Sequence, residues 1–344
     1  MQRDRLPMKS TLKQNLVIIA NLFFKLTRLS SHRSRRILTA DVYFGRSPAS
    51  VPGGSLVFFP FLPNVLGCGI AAIVSYKSAR PGNALDSVAA LDKLAKPIEG
   101  RGCQACHEND VVDLERNYLG GGNLIESLWQ RTQAFKGAQP FFAIYRDPNE
   151  RRLLRTVGDR LAGIAETEEA TLADRMGRIP TQKVELMDAR IDKLKDIAWC
   201  IRAEILDNFA KIDALLNGSQ KQPQPSVVST FQKINTVLNS IDRLEVRGRD
   251  SAGISLIFVL DPAAYDGFKK TIRQKNLETQ LQERCNQITL TNRAIDIHPI
   301  QKDTTAGRIA VAMTYKVANE IGSLGDNIAF LRHQIANDLI LQVL

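Results

Sequence analysis

Long apolar runs are missing from this 344-residue chain: no stretch reaches 18 apolar residues in a row, so no membrane-spanning helix is expected. Aromatic residues are sparse. Six Tyr and two Trp provide no platform on which single-stranded nucleic acid would stack. Five cysteines, an odd number spread along the chain, do not make a disulfide scaffold and suit a reducing cytoplasm. Acidic residues are scarce at one end, where residues 1–50 hold ten Lys/Arg against Asp4 and Asp41. That segment carries +8 of the net charge of +10, so the excess does not describe a basic face of a fold. Neither nucleic acid nor a membrane is expected as a partner.

What is present is a globular composition, with 44% hydrophobic and 24% charged residues, in a chain long enough for two domains. Residues 1–67 are basic and then punctuated by Pro and Gly, which predicts a poorly ordered leader or sequence upstream of the true start. Within it, the apolar stretch 16–24 follows basic residues as in a signal peptide, but Lys25 and Arg28 come next without a small-residue cleavage site. Residues 68–76 form a continuous apolar run that predicts a buried strand.

The pattern over 84–218 is mainly helical. Residues 151–176 mix Leu, Ile and Ala with many charges. Over 183–217, Met187, Ile191, Leu194, Ala198, Ile201, Ile205, Phe209 and Ile212 recur at steps of three and four, and Asn217-Gly218 supplies a stop. A polar linker with two prolines spans 220–226. Beyond it, Phe231, Ile234, Leu238, Ile241 and Leu244 mark one helix face. Residues 253–260 and 306–315 read as strands, and 266–284 and 316–344 as mostly helix. The expected class is α+β, with a helical insertion over 80–225 standing apart from the sheet.

Two short motifs carry chemistry. Residues 244–254 read Leu244-Glu245-Val246-Arg247-Gly248-Arg249-Asp250-Ser251-Ala252-Gly253-Ile254. Gly248 suits a turn with positive φ, and Asp250 and Ser251 can hold such a turn by bonding to its backbone. Ser251, Ala252 and Gly253 are small enough for a strand to pack closely. This run resembles the segment Leu-Glu-Tyr-Arg-Gly-Tyr-Asp-Ser-Ala-Gly-Ile of glutamine–fructose-6-phosphate transaminases. Nine of eleven positions agree, with Val246 and Arg249 replacing two tyrosines. Upstream, Cys68-Gly69-Ile70-Ala71-Ala72-Ile73-Val74 resembles the Cys-Gly-Ile start of the same family, and the two pieces occur in the family's order.

The resemblance implies the class II glutamine amidotransferase domain of such an enzyme, a partial α/β/β/α sandwich of the N-terminal-nucleophile hydrolases interrupted by the insertion. Residues 68–79 would be its first strand and 226–344 its continuation. Cys68 would be the nucleophile, with its free α-amine as general base. Gly69 would let the backbone pass close to the substrate, and Arg247 would support the nucleophile segment, with Gly248, Asp250 and Ser251 shaping the turn. Glutamine and fructose 6-phosphate are the implied substrates, a homodimer the implied assembly, and no cofactor is expected. The sequence also departs from the family. Cys68 and Arg247 lie 179 positions apart, and no Thr-Arg-Trp-Ala segment, His-Asn-Gly segment or later substrate-binding Asp is present. Gly325-Asp326-Asn327 reads as a turn or helix start. Residue 344 falls inside an apparent amphipathic helix, so a fragment, inactive by itself, is expected.

Cys103-Gln104-Ala105-Cys106-His107 matches the c-type haem attachment pattern, in which Cys103 and Cys106 would bond the vinyl groups and His107 the iron. An exported electron-transfer protein is therefore an alternative, because Val65-Leu66-Gly67-Cys68 resembles a lipoprotein processing box except for the bulky Leu66. A redox-active Cys103–Cys106 pair is another. A zinc site lacks a fourth ligand, with His32, His298 and His333 scattered, Cys200 in a predicted helix and Cys285 isolated. A third alternative is non-catalytic: the 183–217 stripe as an interaction module.

Overall fold

The computed structural model describes residues 15–22, 54–58, 70–75, 87–103, 111–175, 177, 179–218, 222–244, 251–300, 307–317 and 325–344. Three strands come first: β1 (Asn15–Leu22), β2 (Gly54–Phe58) and β3 (Ile70–Ser75). Helices follow as α1 (Val88–Ala95), α2 (Val111–Asn117), α3 (Gly122–Ala134), α4 (Ala138–Arg146) and α5 (Pro148–Arg175). Then come α6 (Thr181–Trp199), a π-helical segment Cys200–Leu206, α7 (Asp207–Leu216) and α8 (Pro225–Leu244). The chain continues with β4 (Ala252–Leu260), α9 (Pro262–Gln274), α10 (Glu278–Cys285), β5 (Ile295–Pro299), β6 (Ile309–Val317) and α11 (Asp326–Ala336). The class is α+β. Contacts divide the chain into a helical unit, Ala79–Asp213 with Gln222–Ser229, and a sheet unit formed by the rest.

In the helical unit the side chain of Ser87 caps α1 by accepting from the Ala90 N–H at 3.2 Å, and Val88, Leu91 and Ala95 turn inward. Asp92 on the same helix lies 2.7 Å from Arg160 of α5 and 3.1 Å from Lys96. Burial opposes ionisation of Asp92, but the hydrogen bonds and charges of Arg160 and Lys96 outweigh it and hold the carboxyl below its ordinary range. Helix α5 buries Leu154, Val157, Leu161, Ala165 and Leu172 along one stripe and packs against α6. Close approach is possible because residue 158 is glycine: a Cβ there would meet Ile201 Cγ2 at 2.8 Å. Arg190 of α6 ties down the end of α2, donating to the carbonyls of Leu114, Tyr118 and Glu115 at 2.9, 2.6 and 2.6 Å. The turn into α3 then requires Gly121, where φ is +81° and a Cβ would come within 2.6 Å of the Arg116 carbonyl oxygen.

The sheet has the order β2-β3-β1-β4-β6-β5, and every neighbouring pair is antiparallel. Strands β1 and β2 come from residues 1–67, for which sequence pattern alone predicts no element; β1 is the apolar run that reads like the start of a signal peptide. Strand β5 is likewise an addition to the expected elements, and the expected 266–284 helix is split into α9 and α10 by a turn with Asn276 at φ +55°. Alternation sorts the sheet's faces. Ile254, Leu256, Phe258 and Leu260 of β4 are buried together with Val311, Met313, Tyr315 and Val317 of β6, and α11 and α9 pack on this pair of strands. On the other face Ser255, Ile257, Val259, Ala310 and Ala312 are half-buried, and Ser255 Oγ meets Thr314 Oγ1 at 3.4 Å. Arg332 of α11 donates to Asn235 and Asn239 of α8 at 2.8 Å each, joining the two helices.

A buried ion pair closes the covered face. Arg284 Nη1 lies 2.8 Å from the Asp338 carboxylate, and its Nε donates to the Arg293 carbonyl at 2.6 Å. Asp338 also accepts from the Tyr315 hydroxyl at 2.7 Å and from the N–H groups of Ile340 and Leu341 at 3.0 and 3.1 Å. Burial, then the adjacent Asp338 charge, pushes the Tyr315 hydroxyl well above its ordinary value.

This packing sets the stability cost of three substitutions. Asp338→Ala strands the Arg284 charge in the interior and should cost the sheet unit about 3–5 kcal/mol in chemical denaturation. Tyr315→Phe should cost only about 1 kcal/mol; equal losses from the two changes would contradict the assignment of Asp338 as the hub. In the helical unit, Gly158→Leu should cost about 1–3 kcal/mol through overpacking against Ile201, and an unchanged melting temperature would argue against the close α5 contact.

Candidate functional site

The strands that continue the two motifs start at the same end of the sheet. Strand β3 begins at Ile70, two residues after Cys68, and β4 begins at Ala252, inside the 244–254 run. Strand β1 lies between them and is antiparallel to both, so β3 and β4 run in the same direction and start at the same end. Asn21 of β1 pairs with Ile70 on one side and with Gly253 on the other. Ile70 and Gly253 therefore share a row of the sheet, two strand spacings or roughly 10 Å apart.

Local sequence explains how the second motif gets there. Helix α8 buries Ile234, Val237, Leu238 and Ile241 and ends at Leu244, the first residue of the run. Ser251 is half-buried, and Ala252, Gly253 and Ile254 are buried as β4 enters the sheet. The run is thus the connection from a helix to an interior strand, with its small residues Ala252 and Gly253 buried where the strand begins. Cys68, Gly69, Arg247, Gly248 and Asp250 lie outside the described residues. So do Cys106 and His107. Asn21 was not singled out from the sequence; its row position depends on the pairing of β1, for which no local pattern is a signal. Gly325 is the N-cap of α11 with φ +95°, and Asp326 is its first residue, in keeping with a helix start.

Of the rival cysteines, Cys103 is buried in the helical unit. Its backbone N–H donates to Glu168 at 2.8 Å, and its Sγ accepts from Arg175 Nη1 at 3.6 Å. Gly102 beside it leaves room for the Glu168 carboxylate, which a Cβ would meet at 2.1 Å. Cys200 opens the π-helical segment, fully buried, accepting from Gln133 Nε2 at 3.4 Å beside the Lys136–Glu204 ion pair at 2.8 Å. Burial first, then the Glu204 carboxylate against the opposing Lys136 charge, leaves its thiol pushed up to about 12. Cys285 is exposed at the end of α10. His298 pairs with Asp296 at 2.7 Å, and His333 sits on α11. Among the described residues no group of three or more His, Cys, Asp and Glu side chains is arranged to hold a metal ion, and no helix is long and apolar enough to cross a membrane.

No protein-family model, no curated protein and no solved structure matches the chain.

The contrast between Cys200 and Cys285 is directly measurable. Iodoacetamide at about pH 8.5 should modify Cys285 in the native protein and leave Cys200 intact until the protein is unfolded. The folded-state value of the Cys200 thiol is raised, so its contribution to stability is complete below about pH 9 and is lost as pH rises toward 12. Rapid native-state alkylation of Cys200 at pH 8.5 would show that the π segment does not seal it.

Proposed function

We propose that this chain is part of the glutamine amidotransferase half of an enzyme resembling glutamine–fructose-6-phosphate transaminase. The observation that carries the reading is the common sheet end. The Cys68 piece leads into β3 and the 244–254 run leads into β4, and Ile70 and Gly253 share the row of Asn21. Cys68 and Arg247 are 179 positions apart in sequence, and the common row of the strands beside them supports reading the two motifs as one site. The finer fold in this reading is a partial α/β/β/α sandwich of the N-terminal-nucleophile type. Its support is the β4–β6 part of the sheet, with one face under helices and the other half-buried, as in a layer that receives a second sheet.

In this reading the Cys68 thiolate attacks the side-chain amide carbon of glutamine, and the α-amine of the same residue takes the thiol proton and passes it to the leaving group. Ammonia departs, a glutamyl thioester remains, and water hydrolyses it to glutamate and the free thiol. Arg247 holds the nucleophile segment by hydrogen bonds, while Gly248, Asp250 and Ser251 fix the turn that carries it. Ammonia would then pass to a sugar phosphate, fructose 6-phosphate, to give glucosamine 6-phosphate. Free cysteines in the described residues fit a cytoplasmic setting for such a thiol. The bond before Cys68 must be absent in the working protein, because an acylated nitrogen takes no proton. The haem alternative gains nothing from Cys103, whose sulfur is buried and engaged by Arg175.

The reading is tested on protein assembled from two co-expressed pieces, residues 1–67, which supply β1, and a chain begun at Cys68 behind a removable Met. An electrophilic glutamine analogue such as 6-diazo-5-oxonorleucine should add to one residue, Cys68, with glutamine protecting it and Cys68→Ala abolishing the adduct. Absence of that adduct, or equal labelling of the Ala variant, would overturn the assignment.

A further inference from the structure

We infer that strand β5 is an edge through which two copies of this chain pair, antiparallel and related by a twofold axis. Strand β5 ends the sheet, bonded on one side only, to β6. The bonds at its two flanks fix which backbone groups face outward: Ile300 N–H donates to the Arg308 carbonyl at 2.9 Å and Thr314 N–H to the Ala294 carbonyl at 3.0 Å. The ladder alternates, so residues 294, 296, 298 and 300 turn their backbone groups toward β6. Ile295, Ile297 and Pro299 turn theirs away, and no described residue takes them.

This outward edge is complementary to itself. With Ile297 of one copy opposite Ile297 of the other, the two residues exchange two N–H···O bonds, and each Ile295 N–H reaches the Pro299 carbonyl of the second copy. That makes four interchain bonds. Pro299 has no N–H to offer, which limits the pairing to this short stretch. The same register sets Asp296 directly opposite His298 of the second copy, twice, in the closely spaced positions where cross-strand side chains meet. Hydrogen-bonding character therefore matches across the axis. A copy shifted by two residues would instead set Asp296 opposite Asp296 or His298 opposite His298. Twofold pairing consumes both edges, so it closes as a dimer and does not propagate.

The loop leading into β5 carries two exposed apolar side chains. Ile288 is 84% exposed and Leu290 56%, the two most exposed large hydrophobic side chains among the described residues. They are held out by a built loop. Thr291 N–H donates to the Ile288 carbonyl and Ala294 N–H to that of Thr291, at 3.0 and 3.2 Å. Lys316 N–H donates to Asn292 Oδ1 at 2.9 Å, and Leu290 and Arg293 take φ of +70° and +66°. A loop fixed in the left-handed region at two non-glycine positions to present aliphatic side chains to water is what a pairing surface needs.

Sedimentation velocity on the full chain over a hundredfold range of concentration tests the proposal. The expected species is a dimer, twice the 38.2 kDa chain. His298→Asp places carboxylates opposite each other and should raise the dimer dissociation constant at least tenfold. Combining it with Asp296→His exchanges the two partners and should restore the parent value. Ile297→Pro removes the central donor and should weaken the dimer at least as much. A monomer at every concentration would overturn the proposal, as would a dimer indifferent to both His298→Asp and Ile297→Pro. Restoration by the exchanged pair separates loss of pairing from loss of folding.

Discussion

Strand β4 is bonded along both of its sides, to β1 from Ala252 to Val259 and to β6 over its whole length. A slip of one residue in either ladder would turn Ile254, Leu256, Phe258 and Leu260 from the helix-covered face to the half-buried one. The burial of those four side chains thus fixes the register, and the register fixes nearly everything of interest beside it. It sets Gly253 in the row of Asn21, and Asn21 in the row of Ile70. It also sets Thr314 against Ser255 and, through β6, Ala312 against Asp296. The candidate active-site end of the sheet and its outer edge at β5 are two consequences of one constraint.

Each unit holds its own partnered charges. In the sheet unit Arg284 and Asp338 are almost wholly out of water; Tyr315, the Arg293 carbonyl and two backbone N–H groups supply further hydrogen bonds, while Arg284 Nη2 is buried without a partner among the described residues. In the helical unit Arg160 joins Asp92 to Glu99, at 2.7 Å from each. The helical unit adds a packing device. Where α5 passes the π segment, Gly158 lets the backbone approach Ile201, and the neighbouring Cys200 is buried. The sequence steps there, Ile201 to Ile205 to Phe209, are two successive fours, and all three side chains remain buried. Local widening of the helix keeps the apolar stripe facing inward.

The elements that were legible in the sequence are those whose signal is local. Met187 through Ile212 recur at helical spacing, and all eight residues of that stripe are buried. The Ser-Ala-Gly start and apolar run of β4 were equally clear, as was the Asn217-Gly218 stop, where both residues have positive φ. What escaped depends on distant partners. Strand β5 reads Ile-Asp-Ile-His-Pro, too short and too polar to announce itself, and it exists because β6 offers it a ladder. Strand β1 has the composition of a leader and becomes a strand through β3 and β4. Asp338 gives no hint of burial until Arg284, 54 positions earlier, is brought to it. For the candidate site the residue types were legible and the meeting of their strands was not, because that meeting runs through β1.

Mass spectrometry of the N-terminal peptide, on protein isolated from the cells that make it, tests the nucleophile assignment most directly. The amidotransferase reading predicts a peptide that begins Cys68-Gly69-Ile70 with an unblocked α-amine. A peptide running unbroken through Leu66-Gly67-Cys68, in protein that hydrolyses glutamine, would contradict it.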